Sequence, residues 1–327
     1  MQKNFSILGL LLLTTGAFAA QDESLPQAEQ PAVEALVEAQ LALPPLDTAK
    51  LGVIEAPVEA QPPLPPLDTT KLGKVRSAVA LVVDQEQERP LYAKNVDTQM
   101  PIASITKLMT AMVVLDAQLP LDEPVTIGKE DVDTKRGTRS KLKVGVTLSR
   151  GELLQLALMA SENRAAAALA HSYPGGMPAF VAAMNQKAAA LDMAQTHFVD
   201  PTGLDSRNVS TAQDLVKMVK ASYGYDLIRE YTTATSQAVA GAQRKSRPLS
   251  FHNSNRLVKS KSWEIGLSKT GYIRDSGRCL VLQTRIADQS LIIVLLDSWG
   301  KYTRIADANR IKRWIETSLL ARKPRSS

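Results

Sequence analysis

Residues 101–112 have the sequence PIASITKLMTAM, and this stretch decides how the rest of the chain is interpreted. From residue 105 to residue 115, apolar side chains would occupy most faces of a helix, which predicts a helix buried in a sizeable core. Pro101 stands just before it, where a proline can begin a helix but cannot continue it. Ser104 is therefore predicted at the amino end of this helix, with Lys107, three residues later, on the same face.

A serine and a lysine in this arrangement can act as a nucleophile and its base. Free N–H groups and the helix dipole at the amino end favour negative charge developing on the serine oxygen. An ordinary lysine, with a pKa of about 10.4, is a poor base at neutral pH, but burial and a neighbouring cation both lower its pKa. The apolar helix would supply the burial, and we expect Lys269 to supply the cation. We predict that a neutral Lys107 accepts the proton of Ser104.

The same serine–lysine spacing occurs twice more, at Ser140–Lys143 and Ser298–Lys301. The first copy lies in a polar, basic run without an apolar helix after it, and the second contains Gly300. Neither context predicts a buried nucleophile. The chain's histidines fit neither a Gly-x-Ser-x-Gly elbow nor a His-Glu-x-x-His metal motif, so we interpret them as structural and predict no metal and no cofactor. They are His171, His197 and His252.

A second polar motif, Ser161-Glu162-Asn163, falls where two predicted helices meet. The helix before it opens with a predicted capping box formed by Ser149 and Glu152, and alanine-rich helical sequence resumes at Arg164. A break at this point can turn a hydroxyl and an amide into a cleft, although a plain polar turn is the alternative. The similar Ser206-Arg207-Asn208 follows turn-forming residues and is interpreted as ordinary loop sequence.

A third motif, Lys269-Thr270-Gly271, lies between two strand-like runs at residues 263–267 and 279–284. Gly271 has no side chain to prevent a close backbone approach, so a peptide substrate could bind by strand addition along this edge. The alternative is a lysine that merely protects an edge strand from aggregation.

Together and in this order, the three motifs resemble those of the low-molecular-mass penicillin-binding proteins, most closely the D-alanyl-D-alanine endopeptidases of the Gram-negative periplasm. Two longer stretches, LALMASENRAA at 156–166 and FVDPTGL at 198–204, carry the resemblance further, and it extends from about residue 75 to about residue 320. It implies an α/β fold of the β-lactamase/DD-peptidase type: a mainly antiparallel sheet flanked by helices, with an all-helical insertion that carries Ser161 and Asn163.

The resemblance also implies a reaction, the hydrolysis of D-alanyl-diaminopimelate cross-links in peptidoglycan through an acyl-enzyme, with β-lactam antibiotics as covalent inhibitors. Ser104 attacks, Lys107 accepts its proton, and Ser161 passes a proton to the leaving amine. The remaining site residues would bind substrate. Asn163 would bind the substrate amide, and Lys269, Thr270 and Gly271 would bind its carboxylate end, with Arg304 receiving the terminal carboxylate. The backbone N–H groups of Ser104 and Tyr272 would bind the oxyanion.

Three alternative functions stay open at this point. The same site could act as a D-alanyl-D-alanine carboxypeptidase, because the leaving group of either reaction carries a carboxylate. A class A β-lactamase shares the motifs but needs a glutamate that activates the deacylating water, and no Glu-x-x-x-Asn occurs between Asn163 and Lys269. A non-catalytic module that recruits cell-wall enzymes is the third alternative.

The chain outside the catalytic region predicts export. Residues 1–19 are interpreted as a signal peptide cleaved near Ala19 rather than a retained anchor, which places the protein in the periplasm. Residues 20–74 form a proline-rich linker, predicted disordered, in which residues 37–52 recur as residues 58–73. The repeat is either a plain duplication or a docking peptide for a cell-wall enzyme. Residues 75–321 form the catalytic domain with a final helix from about Asp307, and residues 322–327 a polar tail.

Charge is divided unevenly between these parts. The whole chain carries a net charge of +6, but residues 21–70 contribute −8 and residues 71–327 contribute +13. A globular part this basic attracts polyanions, unless it is simply an ordinary basic surface. Nucleic acid is not predicted as a partner, because no recognition motif is present, whereas peptidoglycan stem peptides carry many carboxylates. The single Cys279 is predicted to be a buried, inert thiol.

Overall fold

A five-stranded antiparallel sheet forms the centre of the computed structural model, which describes residues 67–240 and 248–320. Its strands run in the order β2-β1-β11-β10-β9. The three carboxy-terminal strands are consecutive and joined by tight turns, and β1 pairs with the last of them. The bounds are β1 Val79–Asp84, β2 Pro90–Lys94, β9 Glu264–Ile273, β10 Gly277–Ile286 and β11 Gln289–Ser298.

The sheet is covered on both faces, and this explains its continuous apolar strands. Alternate residues of β11 belong to two separate hydrophobic clusters, with Ile292 and Val294 in one, and Ile293 and Leu295 in the other. All four side chains are fully buried. A strand buried on both faces loses the usual alternation of apolar and polar residues, as observed here.

One face packs against the last helix, α7 (Thr303–Leu320), and against a 3₁₀ helix at Thr69–Leu72. Leu72 is buried in this cluster, and the indole Nε1 of Trp314 donates a hydrogen bond of 2.8 Å to the carbonyl of Asp68. The linker was predicted to reach residue 74, whereas Thr69–Leu72 already form a 3₁₀ helix, in which Leu72 is buried and the residues before it are exposed. Helix α7 likewise begins four residues before the predicted Asp307.

The other face supports the helices inserted between β2 and β9. The second 3₁₀ helix, Ala103–Thr106, leads directly into α1. The six inserted helices are α1 Lys107–Asp116, α2 Arg150–Met159, α3 Asn163–His171, α4 Gly176–Ala190, α5 Ala212–Tyr223 and α6 Asp226–Thr233. All eight residues from Lys107 to Val114 are buried, as the apolar pattern predicted.

The inserted region is mostly helical, but it also contains three two-stranded ladders that the all-helical prediction lacked. Each strand has only two to four residues, too few to show a period of two in the sequence. They pair as β3 with β6, β4 with β5, and β7 with β8. Their bounds are β3 Met100–Pro101, β4 Pro124–Thr126, β5 Thr147–Ser149, β6 Val209–Ser210, β7 Ser236–Val239 and β8 Leu249–His252.

Local sequence signals account for the elements that carry the site. The predicted capping box is present: the Ser149 hydroxyl accepts from the N–H of Glu152, and the Glu152 carboxylate accepts from the N–H of Ser149. Helix α2 then ends at Met159, and α3 starts at Asn163, so the predicted break is confirmed. Lys269-Thr270-Gly271 lies inside β9 rather than between two strands.

Several sequence predictions lie outside the described residues: the signal peptide at 1–19, most of the linker and its repeat, and the tail at 322–327. Within the ranges 67–240 and 248–320, no helix combines the length and the apolar character needed to cross a membrane.

Candidate functional site

The 3₁₀ helix before α1 brings Ser104 against Lys107. The Nζ atom of Lys107 lies 2.9 Å from the Oγ atom of Ser104. Lys107 is fully buried, whereas Ser104 is partly exposed. Ala103, immediately before Ser104, has a φ of 48°, a left-handed value that is costly for a residue with a Cβ atom. The serine therefore stands at a strained entry to a buried helix, with its hydroxyl open to a ligand.

Two further groups hold the amine of Lys107 in place. It donates to the Oδ1 atom of Asn163 and to the carbonyl of Thr202, both at 2.7 Å. Burial lowers the pKa of Lys107 to about 7, against opposing contributions from the charges of Asp200 and Glu162. A neutral amine has two N–H donors and one lone pair. Because two acceptors take the donors, the lone pair is left for the hydroxyl of Ser104, as a general base requires.

The carbonyl of Thr202 is presented by the loop at residues 198–204, which the sequence marked only by its family resemblance. One carboxylate oxygen of Asp200 accepts from the backbone N–H groups of Thr202 and Gly203, at 2.6 and 2.8 Å. Asn208 is fully buried, accepts from two N–H groups of this loop and donates to the hydroxyl of Thr106. The interpretation of Asn208 as ordinary loop sequence was wrong, because its side chain joins this loop to the nucleophile's own turn.

The break between α2 and α3 places Ser161 opposite β9. Ser161 adopts a φ of 61°, and its Oγ atom accepts a hydrogen bond of 2.8 Å from the amine of Lys269. The other side of the break carries Asn163, whose amide donates to the hydroxyl of Thr138 while its oxygen accepts from Lys107. The three motifs thus meet around two buried amines.

The electrostatics of these amines differ from the prediction. Burial is the main cause of the lowered pKa of Lys107, and Lys269 is not among its principal causes. Burial also lowers the pKa of Lys269 well below its ordinary value, and the charges of Lys107 and Arg304 lower it further. Burial, rather than the charge of Lys269, therefore lowers the pKa of Lys107, and burial is also the main cause of the lowered pKa of Lys269. Because the charge of Lys107 lowers the pKa of Lys269, protonation of both buried amines at once is disfavoured.

The carboxy-terminal half of β9 is held close to the nucleophile. A Cβ atom on Gly271 would lie 2.9 Å from the carbonyl oxygen of Ile102 and 3.2 Å from the backbone nitrogen of Ser104, so only glycine permits this approach. The hydroxyl of Thr270 donates to that of Ser254 at 2.8 Å. Arg304 donates to the carbonyl of Gly271 at 3.0 Å. Arg304 therefore lies beside the motif, as its position in the chain suggested, and Tyr272 follows with an exposed ring.

The other two serine–lysine pairs are not arranged in this way. The Oγ atom of Ser140 accepts from the backbone N–H of Leu142 in a surface loop. Ser298 is buried, and its Oγ atom lies 2.7 Å from that of Ser77. Within the described ranges, neither serine forms a hydrogen bond with a lysine, so Ser104 is the one whose geometry supports activation.

Known proteins resemble this chain over most of its length. The sequence model of the D-alanyl-D-alanine carboxypeptidase family matches residues 66–300. The chain belongs to this family. The DD-peptidase is 50% identical over 241 residues to a D-alanyl-D-alanine endopeptidase of Pseudomonas aeruginosa, covering 74% of this chain and 77% of that one. It is 47% identical over 243 residues to the Escherichia coli protein of the same name, covering 74% and 78%.

A solved structure confirms the predicted fold class. The crystal structure of a Streptomyces DD-transpeptidase matches the DD-peptidase with a TM-score of 0.69 and 27% sequence identity. The match covers 74% of this chain and 97% of the other. The family resemblance inferred from the three motifs is therefore confirmed, and so is the sheet-and-helix architecture that it implied.

Proposed function

We propose that this DD-peptidase is a serine endopeptidase that hydrolyses D-alanyl-diaminopimelate cross-links of peptidoglycan through an acyl-enzyme on Ser104. The observation that carries the proposal is the fully buried amine of Lys107, 2.9 Å from the Ser104 hydroxyl and fixed by Asn163 and Thr202. Burial holds the pKa of Lys107 near 7, where the amine can act as a base under ordinary conditions. The related proteins are named D-alanyl-D-alanine endopeptidases, which supports cross-links as the substrate.

Acylation follows from this arrangement. The Oγ atom of Ser104 attacks the D-alanyl carbonyl carbon while its proton passes to the Nζ atom of Lys107. The carbonyl oxygen becomes an oxyanion, which the backbone N–H groups of Ser104 and Tyr272 stabilise. The C–N bond of the cross-link then breaks, and the leaving amine receives a proton through the hydroxyl of Ser161, which is hydrogen-bonded to Lys269. Water then attacks the ester carbonyl and gives up a proton through Ser161 to Lys269, and Lys107 returns its proton to the Oγ atom of Ser104 as the ester bond breaks.

Substrate binding uses the other side of the cleft. The substrate extends along β9, where Gly271 leaves room for a second backbone, and Asn163 binds its amide. The carboxylate beside the leaving amine is received by Thr270, Lys269 and Arg304. An incoming carboxylate favours the protonated form of a buried amine, so substrate binding would raise the lowered pKa of Lys269.

The resemblance supports two further parts of the proposal. The enzyme acts in the periplasm after removal of residues 1–19, and β-lactams acylate Ser104 because they resemble the D-alanyl substrate. The repeated segment at residues 37–52 and 58–73 is a candidate docking peptide for a cell-wall enzyme, with a plain tandem duplication as the alternative.

Digestion of purified muropeptides tests the proposal. The mature protein should convert a cross-linked dimer into two monomers, and Ser104→Ala should abolish this cleavage while leaving the melting temperature nearly unchanged. Release of only terminal D-alanine would instead identify a carboxypeptidase. If the wild-type protein binds the cross-linked dimer but hydrolyses none of it, the non-catalytic module is favoured.

A further inference from the structure

Four basic side chains contact either the carboxy-terminal end of β9 or the ring of Tyr302, two residues before Arg304. They are Arg256, Arg278, Lys301 and Arg304. Within residues 67–240 and 248–320, none of the four forms an ion pair with a carboxylate, although carboxylates are common elsewhere on this surface. A group of unpaired cations beside an active site raises the local concentration of anionic ligands.

Backbone pairing and side-chain contacts connect these cations to the Lys-Thr-Gly motif. Arg278 lies opposite Tyr272 in the β9–β10 ladder, and its guanidinium carbon is 4.3 Å from the centroid of the Tyr272 ring. Arg304 donates to the carbonyl of Gly271. The charge of Arg278 contributes, after burial, to the lowered pKa of Arg304, so the two cations act on each other.

Thr270 connects the Lys-Thr-Gly motif to the segment that carries Arg256. Its hydroxyl donates to Ser254, two residues before Arg256. The guanidinium carbon of Arg256 lies 5.8 Å from the ring centroid of Tyr302, and the amine of Lys301 lies 5.4 Å from the same centroid. Cation–π contacts of this kind hold long basic side chains over a ring without neutralising them, so their charge remains available to a ligand.

Exposed aromatic rings accompany the cations. Tyr272 and Tyr302 are 55% and 54% exposed, and Trp299 is 90% exposed, whereas Trp263 and Trp314 are buried. Trp299 follows Ser298, the residue opposite Arg278 in the β10–β11 ladder. Exposed rings with neighbouring cations are typical of binding surfaces for peptides that carry both apolar and anionic groups. Arg256, Arg278, Lys301, Tyr272 and Tyr302 are called the cationic rim below.

We propose that the cationic rim binds the leaving stem peptide of a cross-link, and that this contact makes cross-links better substrates than terminal D-alanine. The inference rests on the proposed function. In a terminal D-Ala-D-Ala substrate the leaving group is one amino acid, whose carboxylate is already received by Thr270 and Arg304. In a cross-link the leaving group is a whole acidic peptide, which must continue past this point. The rim lies beside the carboxylate pocket and has the opposite charge.

The electrostatic attraction of the rim should favour the cross-linked dimer over small substrates. Individual contacts between exposed cations and carboxylates are weak, but several acting on one ligand give a measurable gain. They are also screened by salt, with a Debye length of about 10 Å at 0.1 M ionic strength. The rim should therefore raise kcat/KM for the cross-linked dimer about tenfold, with a steep loss at high salt, and leave the acylation of a small β-lactam unaffected.

A triple substitution, R256Q/R278Q/K301Q, tests the proposal, with K74Q/K129Q/R313Q as a control that removes three exposed charges elsewhere. Three rates are measured for wild type and both variants: cleavage of a cross-linked muropeptide dimer, release of D-alanine from a monomeric pentapeptide, and acylation by a penicillin. We expect a roughly tenfold loss of dimer cleavage in the rim variant only, with the other two rates within about twofold of wild type. Equal losses on dimer and pentapeptide, or no loss on either, would overturn the inference.

Binding separates this inference from the proposed function. The exposed Trp299 should report ligand by its fluorescence in a Ser104→Ala background, with Trp299→Phe showing which part of the signal it contributes. We expect the dimer to bind more tightly than the pentapeptide and to lose that advantage in the rim variant. If wild type is acylated by penicillin but cleaves no dimer, the endopeptidase function fails. If the dimer then shows no binding advantage over the pentapeptide, the rim inference fails as well.

Discussion

Lys107 is the residue on which the proposed chemistry depends, and its pKa makes a direct prediction. A base works only when it is unprotonated, so acylation by a penicillin should increase with pH through an apparent pKa of about 7. Lys269→Gln should leave that rising limb within about half a pH unit, because burial is the main cause of the shift, and should weaken binding of substrates that carry the carboxylate. The measurement is the acylation rate from about pH 5 to pH 10 in both proteins. A limb displaced by a full unit or more would mean that the charge of Lys269 sets the pKa of Lys107.

Asn208 is a positioning residue whose contribution only the folded structure reveals. Replacing it with alanine leaves the N–H groups of Val199 and Asp200 without their acceptor, whereas the hydroxyl of Thr106 keeps its bond to the carbonyl of Ala103. Buried unsatisfied groups cost roughly 1–3 kcal/mol each, so Asn208→Ala should lower the melting temperature by several degrees. The carbonyl of Thr202 would also lose its support, and acylation should slow about tenfold even well below the melting temperature. Normal acylation kinetics in a destabilised variant would limit Asn208 to a purely structural role.

At the scale of single elements, the approach of β9 to the nucleophile turn is a geometric requirement. Gly271→Ala would place a Cβ atom 2.9 Å from the carbonyl of Ile102, which forces strand and turn apart. A displacement of about 1 Å at a reacting group can cost on the order of 100-fold in rate, so we expect a loss of that size in penicillin acylation. Gly224→Ala, at the end of α5, is the matched control and should acylate normally. Equal acylation rates in the two variants would show that β9 tolerates the displacement.

The elements also show what the sequence could and could not reveal. The apolar pattern after Ser104 correctly predicted α1, and the capping box correctly predicted the start of α2, because both are local signals. The sequence did not predict that Lys269 lies inside a strand, because Gly266 and Gly271 interrupt the β pattern. The roles of Thr202 and Thr138 had no signal of their own, since a backbone carbonyl and a distant hydroxyl reach the site only through tertiary packing.

For the whole molecule, the boundary of the folded domain yields a prediction that differs from the sequence-based one. A protein beginning at residue 67 should keep the melting temperature of the full mature chain, whereas one beginning at residue 75 loses Leu72 and the contact of Trp314 with Asp68. Burial of a leucine contributes about 1.5–3 kcal/mol and the hydrogen bond about 1 kcal/mol, so the shorter protein should melt roughly 5–10 °C lower. Identical melting curves would show that these residues add nothing to the core.

Labelling by a fluorescent penicillin tests the central claim, that Ser104 is the nucleophile activated by Lys107, most directly. Wild type should form a long-lived covalent adduct, because no deacylating glutamate was identified in the sequence, and Ser104→Ala should form none. Mass spectrometry of the digested adduct should place the added mass on the peptide that contains Ser104. An adduct on Ser140 or Ser298, or labelling that survives in Ser104→Ala, would contradict the account.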